Sequence, residues 1–139
     1  MTTAHVDVSP NDRGSRLRQW WSIITILLVA AIFIEAVFAG AMLSGVSWAR
    51  KAHSVNAAIL IASTFTAGLV AVVTLRRIPY GPILGLTLLS LAAVILLQAV
   101  IGALSEKGAN LLWVHVPLGV ALFSFAVQAA VRARRLSDE

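Results

Sequence analysis

Residues 78–105 read IPYGPILGLTLLSLAAVILLQAVIGALS, a run with no charged side chain anywhere between Arg77 and Glu106. An α-helix needs about 20 mostly apolar residues to cross the hydrocarbon core of a bilayer, and this run exceeds that length. Working outward, the same pattern recurs: there is no charge between Lys51 and Arg76, none between Lys107 and Arg132, and only Glu35 between Arg18 and Arg50. Lipid offers no partner for an open strand's backbone, and blocks this long differ from the short alternating segments of a barrel. The sequence therefore predicts an all-α fold, an up-down bundle of four transmembrane helices at about 20–43, 52–75, 81–105 and 111–131. Residues 1–19 and 132–139 are expected to be polar ends outside the spans.

The composition agrees, because 59% hydrophobic against 12% charged residues leaves too little polar surface for a soluble domain of 139 residues. The net charge of +5 does not point to nucleic acid, since the basic residues sit at the ends of apolar blocks and are not interleaved with aromatics. Their distribution is a topology signal. Arg13, Arg16, Arg18, Arg76, Arg77, Arg132, Arg134 and Arg135 fall on one side, against Arg50, Lys51 and Lys107 on the other. Both termini are thus expected in the cytoplasm, with the chain in the cell (inner) membrane. Trp20, Trp21 and Tyr80 then mark one interface, and Trp48 and Trp113 the other. The first block is read as a span and not a cleaved leader, because Glu35 would sit just upstream of any cut at Ala39-Gly40-Ala41. Cysteine is absent, which excludes disulfides, thiolate metal sites and cysteine nucleophiles. Phosphate-binding loops, nucleophile elbows and metalloprotease helices are missing as well, so no enzymatic activity is expected.

The two halves resemble one another at an offset of about 62 residues. Glu-Ala-Val-Phe-Ala-Gly at 35–40 parallels Gln-Ala-Val-Ile-Gly-Ala at 98–103, and His53, Ala57 and Leu60 fall on His115, Gly119 and Leu122. An internal two-fold pseudo-repeat along the membrane normal is expected. The second and fourth helices would then stand on one diagonal, about 12–14 Å apart given ordinary neighbour spacings of 8–10 Å.

Glu35, Gln98, His53 and His115 are the polar residues that stand out within the spans, all toward the outer face. Such groups are costly in lipid and mark functional candidates. Two imidazoles at one level on diagonal helices form an arrangement suited to axial ligation of heme iron. Ala36, Ala39, Gly40, Ala99, Gly102 and Ala103 would leave room for the macrocycle, and Arg50, Lys51 and Lys107 would meet its propionates. Three alternatives stay open from the residues alone: His53 and His115 as interfacial residues bonded to loop carbonyls, proton or quinone chemistry, and a Glu35–Gln98 clamp across the bundle.

Leu97-Gln98-Ala99-Val100-Ile101-Gly102-Ala103 and Val114-His115-Val116-Pro117-Leu118-Gly119-Val120 resemble helices of the heme A synthases. That family has two similar four-helix halves, each holding heme near the outer face with histidines on its second and fourth helices. The resemblance covers roughly residues 22–131 and implies His53 and His115 as ligands of a b-like heme. Departures limit what it implies. The chain has four spans where the family has eight, Arg50 holds the place of the family's glutamate three residues before the first histidine, and there is no outer-loop cysteine pair. Heme hydroxylation is therefore not expected. The chain also looks like small four-helix membrane proteins of high-GC bacteria, a likeness that supplies no activity. The expected function is a membrane heme-binding, cytochrome b-like protein for electron transfer or heme handling. The alternative is a cofactor-free accessory or scaffold subunit, associating with other membrane subunits or with copies of itself.

Overall fold

A computed structural model describes residues 10–138, with side chains described over 14–136; the segment 1–9, including His5, lies outside the described residues. Four helices follow one another: α1 (Pro10–Leu43), α2 (Ala49–Thr74), α3 (Gly81–Glu106) and α4 (Leu112–Asp138). Each is long and apolar enough to cross a membrane. Among the described residues, sequence neighbours pack side by side and α1 closes the square against α4. The pairs α1/α3 and α2/α4 stand on the diagonals, with no Cα–Cα approach within 8 Å. This is the expected up-down bundle.

Buried positions recur at alternating spacings of three and four, the seam of a helical bundle. In α1 they are Trp21, Thr25, Leu28 and Ile32; in α3, Leu84, Leu88, Leu91 and Ile95; in α4, Leu122, Ala126, Ala129, Ala133 and Leu136. In α2, Leu60, Thr64, Gly68 and Ala71 occupy the equivalent stripe, and Leu75, just after the helix, continues it. Most lie in the half of the bundle that carries the two termini and the α2–α3 turn, with Ile32, Leu60, Ile95 and Leu122 just past the middle. Packing there is close because glycines remove side chains from the α2–α3 seam. A Cβ on Gly85 would stand 2.6 Å from the Val72 backbone nitrogen, and one on Gly68 would stand 2.9 Å from that of Leu89.

The other half, capped by the α1–α2 and α3–α4 turns, continues the same stripes with polar and small residues. Glu35, Ala39, His53, Asn56, Ala57, Gln98, Gly102, His115 and Gly119 are half-buried there. Such side chains do not fill an interior as Leu and Ile do, so the apolar core ends where they begin.

The two turns are built alike. Gly45 and Gly108 adopt φ of +85° and +99°, the left-handed conformation that glycine tolerates best. Val46 N–H donates to the Ala41 carbonyl at 3.0 Å and Gly45 N–H to Met42 at 3.1 Å. In the second turn Ala109 N–H donates to Leu104 at 3.1 Å and Gly108 N–H to Ser105 at 3.2 Å. Both are Schellman caps, which satisfy the last carbonyls of α1 and α3.

The helix ends differ from the expected frame. α4 continues past 131 to Asp138 because Ala133 and Leu136 extend its buried stripe and Arg132 donates to the Thr87 hydroxyl at 2.8 Å. α1 likewise begins at Pro10, with Leu17 and Trp21 packed in the core cluster.

Candidate functional site

All four polar residues singled out in the sequence sit on the inward stripes of their helices. Glu35 follows Ile32 by three residues on α1, and His53 precedes Leu60 by seven on α2. Gln98 follows Ile95 by three on α3, and His115 precedes Leu122 by seven on α4. Heptad and half-heptad spacings fix these directions, because positions so related share a face.

In the first hairpin the Nδ1 of His53 lies 3.0 Å from Oε1 of Glu35 and 3.4 Å from the Glu35 carbonyl oxygen. The carboxylate therefore selects the tautomer in which Nδ1–H donates and Nε2 keeps its lone pair. The amide of Asn56, one turn along α2, completes the group: its Nδ2 donates to Glu35 Oε2 at 2.7 Å and to the Ala31 carbonyl at 3.3 Å. Both oxygens of a carboxylate held within a membrane span are thus engaged by α2 donors. Sequence reasoning missed Asn56. The signal was there, because an amide three residues after His53 shares its face and is costly in lipid without a partner.

In the second hairpin Gln98 Nε2 donates to the backbone carbonyl of His115 at 2.6 Å. Gly119, one turn on from His115, makes this approach possible: a Cβ there would stand 3.1 Å from Gln98 Nε2. The His115 ring lies against Gly102 of α3, where a Cβ would stand 2.9 Å from Cε1. Pro117 lies inside α4, and its missing N–H leaves the Trp113 carbonyl without its helical donor. His115 Nδ1 and Gln98 Oε1 are buried with no hydrogen-bond partner. Buried polar atoms are seldom left so in a folded protein, and each calls for a partner such as a water, an ion or a ligand.

The Glu35–Gln98 clamp, one of the alternatives the residues left open, does not form. Each polar residue closes within its own hairpin, because α1 and α3 stand on a diagonal while Asn56 and His53 reach Glu35 from the neighbouring helix. Of the small residues expected to make room, Ala39, Ala99 and Gly102 are half-buried, whereas Ala36, Gly40 and Ala103 are on exposed faces. Arg50 is engaged by Glu106 in an ion pair linking α2 to the end of α3. Lys51 and Lys107 are exposed. Among the described residues no group of three or more His, Asp or Glu side chains gathers as a metal site.

Comparison with protein-family models, with curated proteins and with solved structures gives no match to this chain.

Proposed function

We propose that this chain is a non-catalytic membrane heme protein, with His53 and His115 as the axial ligands. The observation that carries the proposal is the state of the two rings. Glu35 holds His53 through Nδ1, the kind of hydrogen bond that fixes the ring orientation of a metal-binding imidazole. His115 keeps a buried nitrogen without a partner. The residues fit the group in three further respects. Both histidines sit on inward stripes of diagonal helices, the surrounding positions are small or polar, and glycines admit the polar groups, Gly102 the His115 ring and Gly119 the Gln98 amide. Bound heme would supply one-electron exchange. The chain's own contribution is to orient the His53 ring, to hold the Glu35 carboxylate between two donors, and to fix the α4 backbone through Gln98.

The matching Schellman caps at Gly45 and Gly108 support reading the hairpins as a pseudo-repeat whose two histidines act as a pair. The excess of arginine at the termini end supports cytoplasmic termini in the cell membrane, with the polar group toward the outer leaflet.

An absorption spectrum of the mildly solubilised protein, expressed with ample heme, tests the reading. A Soret band that sharpens and shifts on reduction, with α and β bands, is expected. His53→Ala and His115→Ala should each abolish this low-spin spectrum while the variants still elute as folded protein. A colourless protein that takes up no added hemin overturns the proposal and leaves the accessory-subunit reading.

A further inference from the structure

At the termini end, far from the histidines, a cavity of about 300 Å³ opens between the start of α3 and the end of α4. Its walls are Ile83, Leu84 and Leu136, and its polar lining is Tyr80, Arg132 and Arg135. We propose that this cavity binds the phosphodiester headgroup of an anionic phospholipid, with an acyl chain lying along the Ile83 face.

Position is the first argument. The charge-free block of α3 begins after Arg77 and that of α4 ends before Arg132, so the cavity sits where the apolar spans give way to charge, the level at which lipid headgroups meet hydrocarbon. Charge is the second. Arg132 and Arg135 are three residues apart on one face of α4, and among the described residues neither has an ion-pair partner. Guanidinium groups with free donors recognise phosphate oxygens in fork geometry. The Arg132 side chain is already held, because it donates to Thr87 at 2.8 Å, which lowers the entropy lost when it engages a phosphate. The N-terminal turn of α3 adds a favourable positive field to the same mouth.

Shape is the third argument. Tyr80 is the one non-glycine residue with positive φ among the described residues, at 59°. A Cβ on Gly81 would collide with the Leu75 carbonyl oxygen. Together they turn the chain sharply into α3 and bring the Tyr80 side chain to the cavity rim. A basic recess with one apolar wall, set between two spans, matches a lipid having a charged head and an apolar tail.

The test uses the full chain in nanodiscs of phosphatidylcholine containing graded phosphatidylglycerol, with native mass spectrometry reading retained lipid. Phosphatidylglycerol should be retained in preference to phosphatidylcholine. Arg135→Gln and Arg132→Gln should each weaken that preference about fivefold, the effect of one basic residue near an anionic surface. Lys107→Gln, at the opposite end, should leave it intact. If Arg132→Gln fails to fold because its bond to Thr87 is lost, Arg135→Gln alone decides. Equal retention of the two lipids, or an undiminished preference in Arg135→Gln, overturns the proposal. Millimolar inorganic phosphate that binds without lipid, with the same arginine dependence, assigns the recess to a free phosphate instead and equally overturns the lipid reading.

Discussion

The imidazole of His115 and the α3 backbone at Gly102 share one space: a Cβ at Gly102 would stand 2.9 Å from the ring's Cε1. Gly102→Ala must therefore displace the ring or push α3 from α4, and overpacking of this kind costs about 1–3 kcal/mol. Gly40→Ala is the control, because a Cβ there meets nothing within 4 Å. That variant should gain about 0.5–1 kcal/mol from helix propensity. Thermal unfolding of both in the same detergent checks the pair, and a loss in Gly102→Ala no greater than in Gly40→Ala would remove the close approach from the account.

The α2–α3 seam should be still less tolerant. At Gly85 the added Cβ would meet the Val72 backbone nitrogen at 2.6 Å, and backbone atoms cannot rotate away as a side chain does. Gly85→Ala should lower stability by about 2–3 kcal/mol, toward the upper end of overpacking costs. Unfolding in increasing SDS, followed by far-ultraviolet circular dichroism, should place its midpoint below that of Gly102→Ala.

The fold was legible in the sequence because its signals are long and redundant. Four blocks each long enough to span, three without a charge and one broken only by Glu35, leave few alternatives, and the diagonal placement follows from short turns. The helix ends were less legible: the seam positions Ala133 and Leu136 lie beyond the charge at Arg132, and a reading that stops at the first arginine cannot see that the stripe goes on. At the candidate site the inward residues were visible as polar exceptions in apolar spans. Their partners were not. Whether Glu35 meets Gln98 or Asn56 depends on which helices are neighbours and on rotamers, neither of which is encoded in spacing alone. Asn56 escaped notice because, unlike Gln98, it has no polar counterpart in the other half: the offset of about 62 residues sets it against Leu118.

Gly45 and Gly108 hold the same position in the two similar turns, with φ of +85° and +99°. A Cβ at either meets no atom within 4 Å, so the cost of alanine is backbone strain alone. Left-handed backbone costs an L-residue roughly 1–2 kcal/mol. Gly45→Ala and Gly108→Ala should thus destabilise by similar amounts, and Gly45→Asn should recover part of the loss, since asparagine tolerates this conformation. Thermal melts of the three variants provide the check. Unequal losses would mean that the two caps differ in the membrane-embedded protein despite their shared hydrogen bonds.

Asn56 and His53 act on one carboxylate from successive turns of α2, so their removals should not add. Asn56→Leu takes away the donor 2.7 Å from Glu35 Oε2, and leaving a buried acceptor unsatisfied costs about 1–3 kcal/mol. Glu35→Leu alone leaves the Asn56 amide with only the Ala31 carbonyl and His53 Nδ1 with only the backbone carbonyl of residue 35 at 3.4 Å, so its cost should be at least as large. The double variant Glu35→Leu/Asn56→Leu removes both partners and should be more stable than the sum of the single losses implies. A coupling of about 1 kcal/mol or more is expected for residues in one hydrogen-bond network. The cycle is measured by reversible unfolding in mixed micelles. Strict additivity would show that the Asn56 amide does not engage the Glu35 carboxylate in solution, and the orientation of His53 by Glu35 would then need independent proof from the Glu35→Gln spectrum.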